Sequence, residues 1–238
     1  MKKLSFILIC LGIKQMKMIT FNEIKTVLLD MDGTILDKYF DDYFWEIYVP
    51  QKYAEKEKIS FEDAQRILFA MYKAEEGTLN WTDIDFWSRK TGLNIFELKK
   101  EVEHLINPHP DSEDFLKTIC SNGKKVYLVT NAHNKVMELK LNKTGFYKYF
   151  HGIFTSFDIG YPKEKIEFWE RLKEKISFEP EYSLFVDDTE EILHTAKLSG
   201  IKLPILRAVS SSRYGPKKSK HFLTIKNFQE IFNLNFYL

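Results

Sequence analysis

The chain has 238 residues, of which 44% are hydrophobic and 29% charged, with a formal net charge of +1. That length holds one substantial domain, or a core with a small second domain, and the composition is ordinary for a soluble globular protein. The balanced charge leaves no electrostatic footprint for nucleic acid, and the short basic stretch of Lys217, Lys218 and Lys220 reads as a solvated loop before a C-terminal helix.

At the N-terminus, Lys2 and Lys3 precede an apolar run from Leu4 to Ile13. The run imitates a signal peptide, but a bilayer span takes about 20 apolar residues, and no small-x-small cleavage pattern follows. Residues 1–18 are therefore read as an extension, with a start codon placed too far upstream. A membrane tether through Leu4 to Ile13 is the alternative. The cysteines, Cys10 and Cys120, form neither a zinc pattern nor a disulfide framework. Cys120 shares a predicted helix with Phe115, Leu116 and Ile119 and reads as a buried thiol, which fits a reducing cytoplasm.

Thr26 to Asp30 (TVLLD) is a short β-rich apolar run, read as a buried strand. Lys125 to Thr130 and Ser183 to Asp187 read the same way. Ile153 to Thr155 is weaker, and Ile201 to Val209 is interrupted by Pro204. Amphipathic helices are predicted over 111–121, 135–143, 165–176 and 190–199. Strands alternating with helices imply an α/β fold with a doubly wound parallel sheet. Residues 37–107 break this rhythm. Ser60 and Asp63 form a capping signal before one helix, and further helices are predicted over 82–91 and 94–105. The segment is read as a helical cap inserted after the first strand, with residues 19–36 and 108–238 forming the catalytic core.

Four motifs fall at predicted strand ends. Asp30 and Asp32 lie in DMDGT, which alone would also serve as a hairpin turn. A carboxylate at the end of a buried strand sits where open α/β sheets bind ligands, and it can attack phosphorus. Asp32 can then act as acid and base, and Gly33 lets the backbone turn tightly beside a phosphoryl group. Thr130 and Asn131 end the second long strand. They can hold phosphoryl oxygens, although Asn131 could simply cap a helix, and His133 reads as a helix-end histidine. Lys163, in GYPKEK, can neutralise a phosphoryl group, with Lys165 as the alternative lysine. Asp187 and Asp188 end SLFVD and can hold magnesium with Asp30, or cap the next helix. Two carboxylates about 4 Å apart repel by roughly 4 kcal/mol at an effective dielectric near 20. Four of them together therefore require a divalent cation and a lysine.

These motifs, spread from about Thr26 to Gly200, resemble the haloacid dehalogenase-like superfamily. Asp32 matches the second aspartate of its phosphatases and phosphomutases, which the dehalogenases lack, and the helical insertion resembles a C1-type cap. The segments VLLDMDGTILDKYFDDYFW, TLNW, TNAH, GYPKE and VDDTEEIL further resemble its bacterial GMP/IMP 5′-nucleotidases. The resemblance implies Asp30 as nucleophile, Asp32 as acid/base, Thr130 and Asn131 as phosphate loop, and Lys163 as the lysine of the third motif. It implies Mg²⁺ held by Asp30, Asp187, Asp188 and the backbone carbonyl of Asp32. The third motif here reads Pro-Lys where many members have Lys-Pro. In the cap, Asn80 and Trp81 are expected to contact a purine base, while Phe44 and Trp45 read equally as internal packing. The expectation is a phosphomonoester hydrolase acting on a small molecule. Sugar phosphates, phosphoglycolate, a mutase reaction and a non-catalytic binding role are the alternatives.

Overall fold

The computed structural model describes residues 18–237. The run from Leu4 to Ile13, Cys10 and the question of the start lie outside these residues. Among the described residues the strands are β1 (Met18–Thr20), β2 (Thr26–Leu29), β3 (Lys125–Thr130), β4 (Gly152–Thr155), β5 (Ser183–Asp187), β6 (Leu203–Arg207), β7 (Leu223–Ile225) and β8 (Asn235–Tyr237). Six form one parallel sheet in the order β4-β3-β2-β5-β6-β7. β1 and β8 form a separate antiparallel pair.

Side chains of the central strands alternate between two buried clusters, as the two-residue period of a strand requires. Val27, Leu29, Leu184 and Val186 enter one cluster, and Leu28 and Phe185 the other. The helix Ser112–Ser121 covers the first face with Phe115, Leu116 and Ile119. The helices Ile166–Lys175 and Glu190–Leu198 cover the second with Phe168, Trp169 and Leu193. Helices on both faces are what a fully parallel sheet needs, since both sides are apolar. Phe115 stacks on Phe228 with ring centroids 4.2 Å apart, so Phe115→Ala would cost about 3–5 kcal/mol.

β6 keeps Pro204 inside it. The ladder to β7 starts only at Ile205, so the missing N–H of Pro204 leaves that ladder intact. The expected C-terminal helix is instead a 3-10 turn, Phe228–Asn233, followed by β8. Its register is set by Phe228, whose N–H donates to Asp111 and whose ring is held by Phe115.

Between 37 and 107 the structure is helical, with no named strand. Ser60 accepts the N–H of Asp63, Asp83 those of Asp85 and Phe86, and Asn94 that of Glu97, capping three successive helices. A helical stretch not read from the sequence starts at Tyr39 and widens to a π-helical turn over Phe44–Tyr48 before Val49–Glu57. Pro50 explains the irregularity. It has no N–H for the Glu46 carbonyl one turn back, and Gln65 Nε2 donates to that carbonyl at 2.8 Å instead. The two chain crossings that join this insert to the sheet run side by side. Asp37 N–H donates to Asn107 O at 2.9 Å, and His109 N–H to Ile35 O at 3.1 Å.

Candidate active site

Asp30 follows directly on β2, and its N–H donates to Val186 O at 3.0 Å. Leu29 is level with Val186, so Asp30 and Asp187 are neighbours on adjacent strands. β3 and β4 lie to one side of β2, and β5 to β7 to the other. The chain therefore reverses its winding at this point, where α/β sheets open a crevice. Lys163 enters from the loop between the helices Ser156–Ile159 and Ile166–Lys175. Its Nζ lies 2.5 Å from Asp30 Oδ1, 2.7 Å from Asp187 Oδ2 and 3.2 Å from Val129 O. Asn131 Oδ1 accepts the Lys163 N–H at 2.9 Å, and Trp169 Nε1 donates to the Lys163 carbonyl at 2.8 Å, so this backbone is held from both sides. Lys165 is exposed and sits at the start of the following helix, which leaves Lys163 as the lysine of the cluster.

Asp187 Oδ1 accepts the N–H of Thr189 at 2.8 Å. Lys217 Nζ donates to both the carbonyl and the Oδ2 of Asp188, each at 2.8 Å. Lys217, with its side chain 43% exposed, thus contacts the site from a loop whose Lys218 and Lys220 are also exposed. The loop doubles back to reach Asp188, and that fold-back has no local signature. Asp30, Asp187 and Asp188 are all buried, and each offers a carboxylate oxygen within 4.8 Å of the others. Asp30 Oδ2 is buried with no hydrogen-bond partner among the described residues. Converging buried carboxylates with one orphaned oxygen suit a hard divalent cation. Gly33 permits the approach. Its φ is +87°, and a Cβ there would meet Asp188 Cγ and Oδ2 at 2.7 Å.

Burial pushes the Asp30 carboxyl up to about 7, with Asp187 and Asp188 adding to the rise and Lys163 opposing it. Burial likewise raises Asp187 to about 6, again against Lys163. Burial also works to raise Asp188, but Lys38 and Lys217 outweigh it and hold that carboxyl below the usual range. Lys163 is raised despite its burial, because Asp187 and Asp30 face it. Positive charge in this cluster is what permits its carboxylates to ionise together.

Asp32 points into a second buried network that sequence reasoning missed. Lys140 Nζ lies 2.6 Å from Asp32 Oδ1 and 2.5 Å from Asp41 Oδ2, and Lys99 Nζ lies 2.9 Å from Asp41 Oδ1. Burial raises Asp32 to about 6, with Lys140 opposing. One signal was available. On the helix Asn134–Thr144, Lys140 shares its buried face with Val136, Met137 and Leu141, so a lysine interrupts an apolar stripe.

A cavity of about 550 Å³ opens over these groups. Asp30, Asp32, Thr130, Asn131 and Lys163 line its floor, and Trp45, Phe69, Tyr72 and Trp81 of the helical insert line its wall. Thr130 Oγ1 accepts the N–H of Ala132 at 3.1 Å, which fixes the start of the loop after β3. Asn131 Nδ2 donates to Glu164. His133 caps the helix after β3 and faces Asp83 and Asp85 across the cavity rim. Asn80 and Trp81 part company: Trp81 lines the cavity, whereas Asn80 donates to Glu75 and lies on a separate groove with Tyr161 and Pro162. Phe44 is fully buried and packs edge-on against Trp45.

The sequence model of the haloacid dehalogenase-like hydrolases matches residues 24–200. The GMP/IMP nucleotidase YrfG of Escherichia coli is 35% identical over 184 residues, 77% of this chain and 83% of that protein. Its counterpart in Shigella flexneri matches equally. Among solved structures, a HAD phosphatase from Thermococcus onnurineus superposes with a TM-score of 0.75 at 24% identity, covering 88% of this chain and 97% of that one. A HAD-superfamily hydrolase from Geobacter sulfurreducens gives 0.59 at 18% identity, covering 89% and 96%. Among the described residues, no helix is long and apolar enough to cross a membrane.

Proposed function

The chain belongs to the haloacid dehalogenase-like hydrolases and is a phosphatase of that family, and we propose that it hydrolyses purine nucleoside 5′-monophosphates of the GMP/IMP type. The observation that carries the reading is the placement of Asp30. It sits at the winding reversal of the sheet, with Lys163 on one carboxylate oxygen and no hydrogen-bond partner among the described residues on the other.

The Asp30 carboxylate attacks the phosphoryl group in line, forming an aspartyl-phosphate as the bond to the leaving 5′-oxygen breaks. Asp32, two residues on, passes its proton to the leaving 5′-oxygen. It then takes a proton from the water that cleaves the acyl-phosphate. Its raised carboxyl suits both steps, since a group near 6 gives and accepts protons at neutral pH. Lys163 balances charge on the equatorial phosphoryl oxygens, and Thr130 with the backbone after it receives them. Asn131 acts through Lys163, whose N–H it accepts.

Mg²⁺ would be held by Asp30, Asp188 and the carbonyl of Asp32. Asp187 already accepts from Lys163 and Thr189, which suits a water-mediated place. A bound Mg²⁺ supplies positive charge to the phosphoryl oxygens and to the Asp30 cluster. Residues 37–107 serve as the cap over the site. The aromatic wall of Trp45, Phe69, Tyr72 and Trp81 supports a nucleobase as the group held there.

Phosphate release from GMP, IMP, AMP, UMP and several sugar phosphates, with Mg²⁺ and with chelator, tests the reading. Release from GMP and IMP that needs Mg²⁺ and vanishes in Asp30→Asn supports it. Release confined to sugar phosphates keeps the chemistry and overturns the nucleotide assignment.

A further inference from the structure

Among the described residues, two enclosed lysines outside the Lys163 cluster pair with carboxylates. The side chains of Lys140 and Lys99 are each 2% exposed. Enclosing an ammonium group is strongly unfavourable unless it is paired, so the partners of such lysines define the local structure. Both meet at Asp41, which receives Lys140 on one oxygen and Lys99 on the other. Lys99 also lies 4.1 Å from the Phe44 ring centroid and 4.7 Å from that of Phe40, so its approach is fixed on the apolar side as well.

The chain Lys99–Asp41–Lys140–Asp32 crosses between two parts of the fold. Lys99 and Asp41 belong to the helical insert, Lys140 to the helix after β3, and Asp32 to the turn after β2. Lys140 grips Asp32 by Oδ1 alone. Asp32 Oδ2 has no hydrogen bond among the described residues, and the side chain is 22% exposed on the cavity. A carboxylate held by one oxygen and presenting the other is oriented for proton transfer.

We propose that Lys140 is the positioning residue for Asp32, and that Asp41 holds Lys140 in place, so the acid/base geometry is completed only when the insert is docked on the sheet. The inference rests on the reading of Asp32 as acid and base. Lys140 reacts with nothing and acts through the carboxylate it aims.

The test uses substituted phenyl phosphates, which share one shape but differ in leaving-group acidity. The 4-nitrophenolate leaves without a proton, whereas phenolate needs one more. The full chain with Mg²⁺ is compared with Lys140→Met, Asp41→Asn and, as reference, Asp32→Ala, reading kcat/KM. For Lys140→Met the expected loss is about 100-fold on phenyl phosphate and within about threefold on 4-nitrophenyl phosphate, as for a missing general acid. Asp41→Asn shows the same selective pattern with a smaller loss, and it carries the test if Lys140→Met does not fold. Equal loss on both esters, as a purely structural or phosphate-binding role would give, overturns the inference, and so does no loss. If Asp32→Ala itself loses rate equally across the series, the acid/base reading of Asp32 falls and this inference with it. If Asp32→Ala is selective and the other two variants are not, only this inference falls.

Discussion

Lys163 divides its ammonium group between Asp30, at 2.5 Å, and Asp187, at 2.7 Å, and so ties together the ends of two adjacent parallel strands. All three side chains are enclosed. Removing one member of a buried charge group leaves the others uncompensated, at a cost of about 3–5 kcal/mol. Lys163→Met should therefore lower the melting temperature sharply in chelator and less in Mg²⁺. It should also lower kcat by roughly 100-fold or more, the scale of a lost electrostatic contact to a reacting oxyanion. Melting curves with and without Mg²⁺, beside steady-state rates, check both.

Gly33 faces the Asp188 carboxylate where a Cβ would stand only 2.7 Å away, and its backbone is left-handed. Gly33→Ala adds strain of about 1–3 kcal/mol from the backbone alone and displaces Asp188. The expected result is a raised Mg²⁺ concentration for half-maximal activity, measured by Mg²⁺ titration of phosphate release. An unchanged titration would show that Asp188 does not set cation affinity.

The acidity of the site gives stability a pH dependence. Asp30 is raised to about 7 and Asp32 and Asp187 to about 6, mainly by burial. Each binds its proton more tightly in the folded chain than in the unfolded one. Ionising them weakens the fold progressively from about pH 4, the unfolded value, to about pH 7. Asp188 and Asp41 are held low by lysines that outweigh their burial, so their contribution is present above about pH 4 and lost only below it. The stabilisation by Mg²⁺ should consequently grow from pH 5 to pH 8. Melting temperatures with and without Mg²⁺ at each pH measure it. A Mg²⁺ shift that shrinks as pH rises would contradict this electrostatic picture.

Trp81 is 41% exposed and lines the cavity together with Tyr72, whose hydroxyl is buried with no hydrogen-bond partner among the described residues. Base stacking on an aromatic ring contributes about 1–3 kcal/mol, so Trp81→Ala should raise KM for GMP by about fivefold or more. Its effect on 4-nitrophenyl phosphate should be small. Tyr72→Phe should change the preference among bases while leaving stability unchanged, since no hydrogen bond among the described residues is lost. Substrate panels on both variants, with Asn80→Ala as the comparison outside the cavity, separate these effects.

The residues at the sheet's reversal point were legible because each belongs to a short contiguous motif at the end of an apolar strand. Asp30, Asp32, Thr130, Asn131, Lys163, Asp187 and Asp188 reach one cavity from four separate stretches of chain. Lys140, Lys99 and Lys217 were not legible in that way. A lysine on a helix or loop normally reads as solvated, and what encloses Lys140 is a carboxylate 99 residues away. β1, β7 and β8, at three residues each, are too short to display a two-residue period. The π-turn at Phe44–Tyr48 depends on Gln65 reaching the Glu46 carbonyl, a tertiary contact that no local pattern carries.

The most direct test of the mechanism is to trap the covalent intermediate. The protein is mixed with GMP and Mg²⁺, quenched in acid within the first turnover, digested and mapped by mass spectrometry. The expected result is a phosphorylated peptide with the modification on Asp30, absent from Asp30→Asn. Turnover of GMP with no phosphate on the chain, or with phosphate on another residue, would contradict the assignment of Asp30 as the nucleophile.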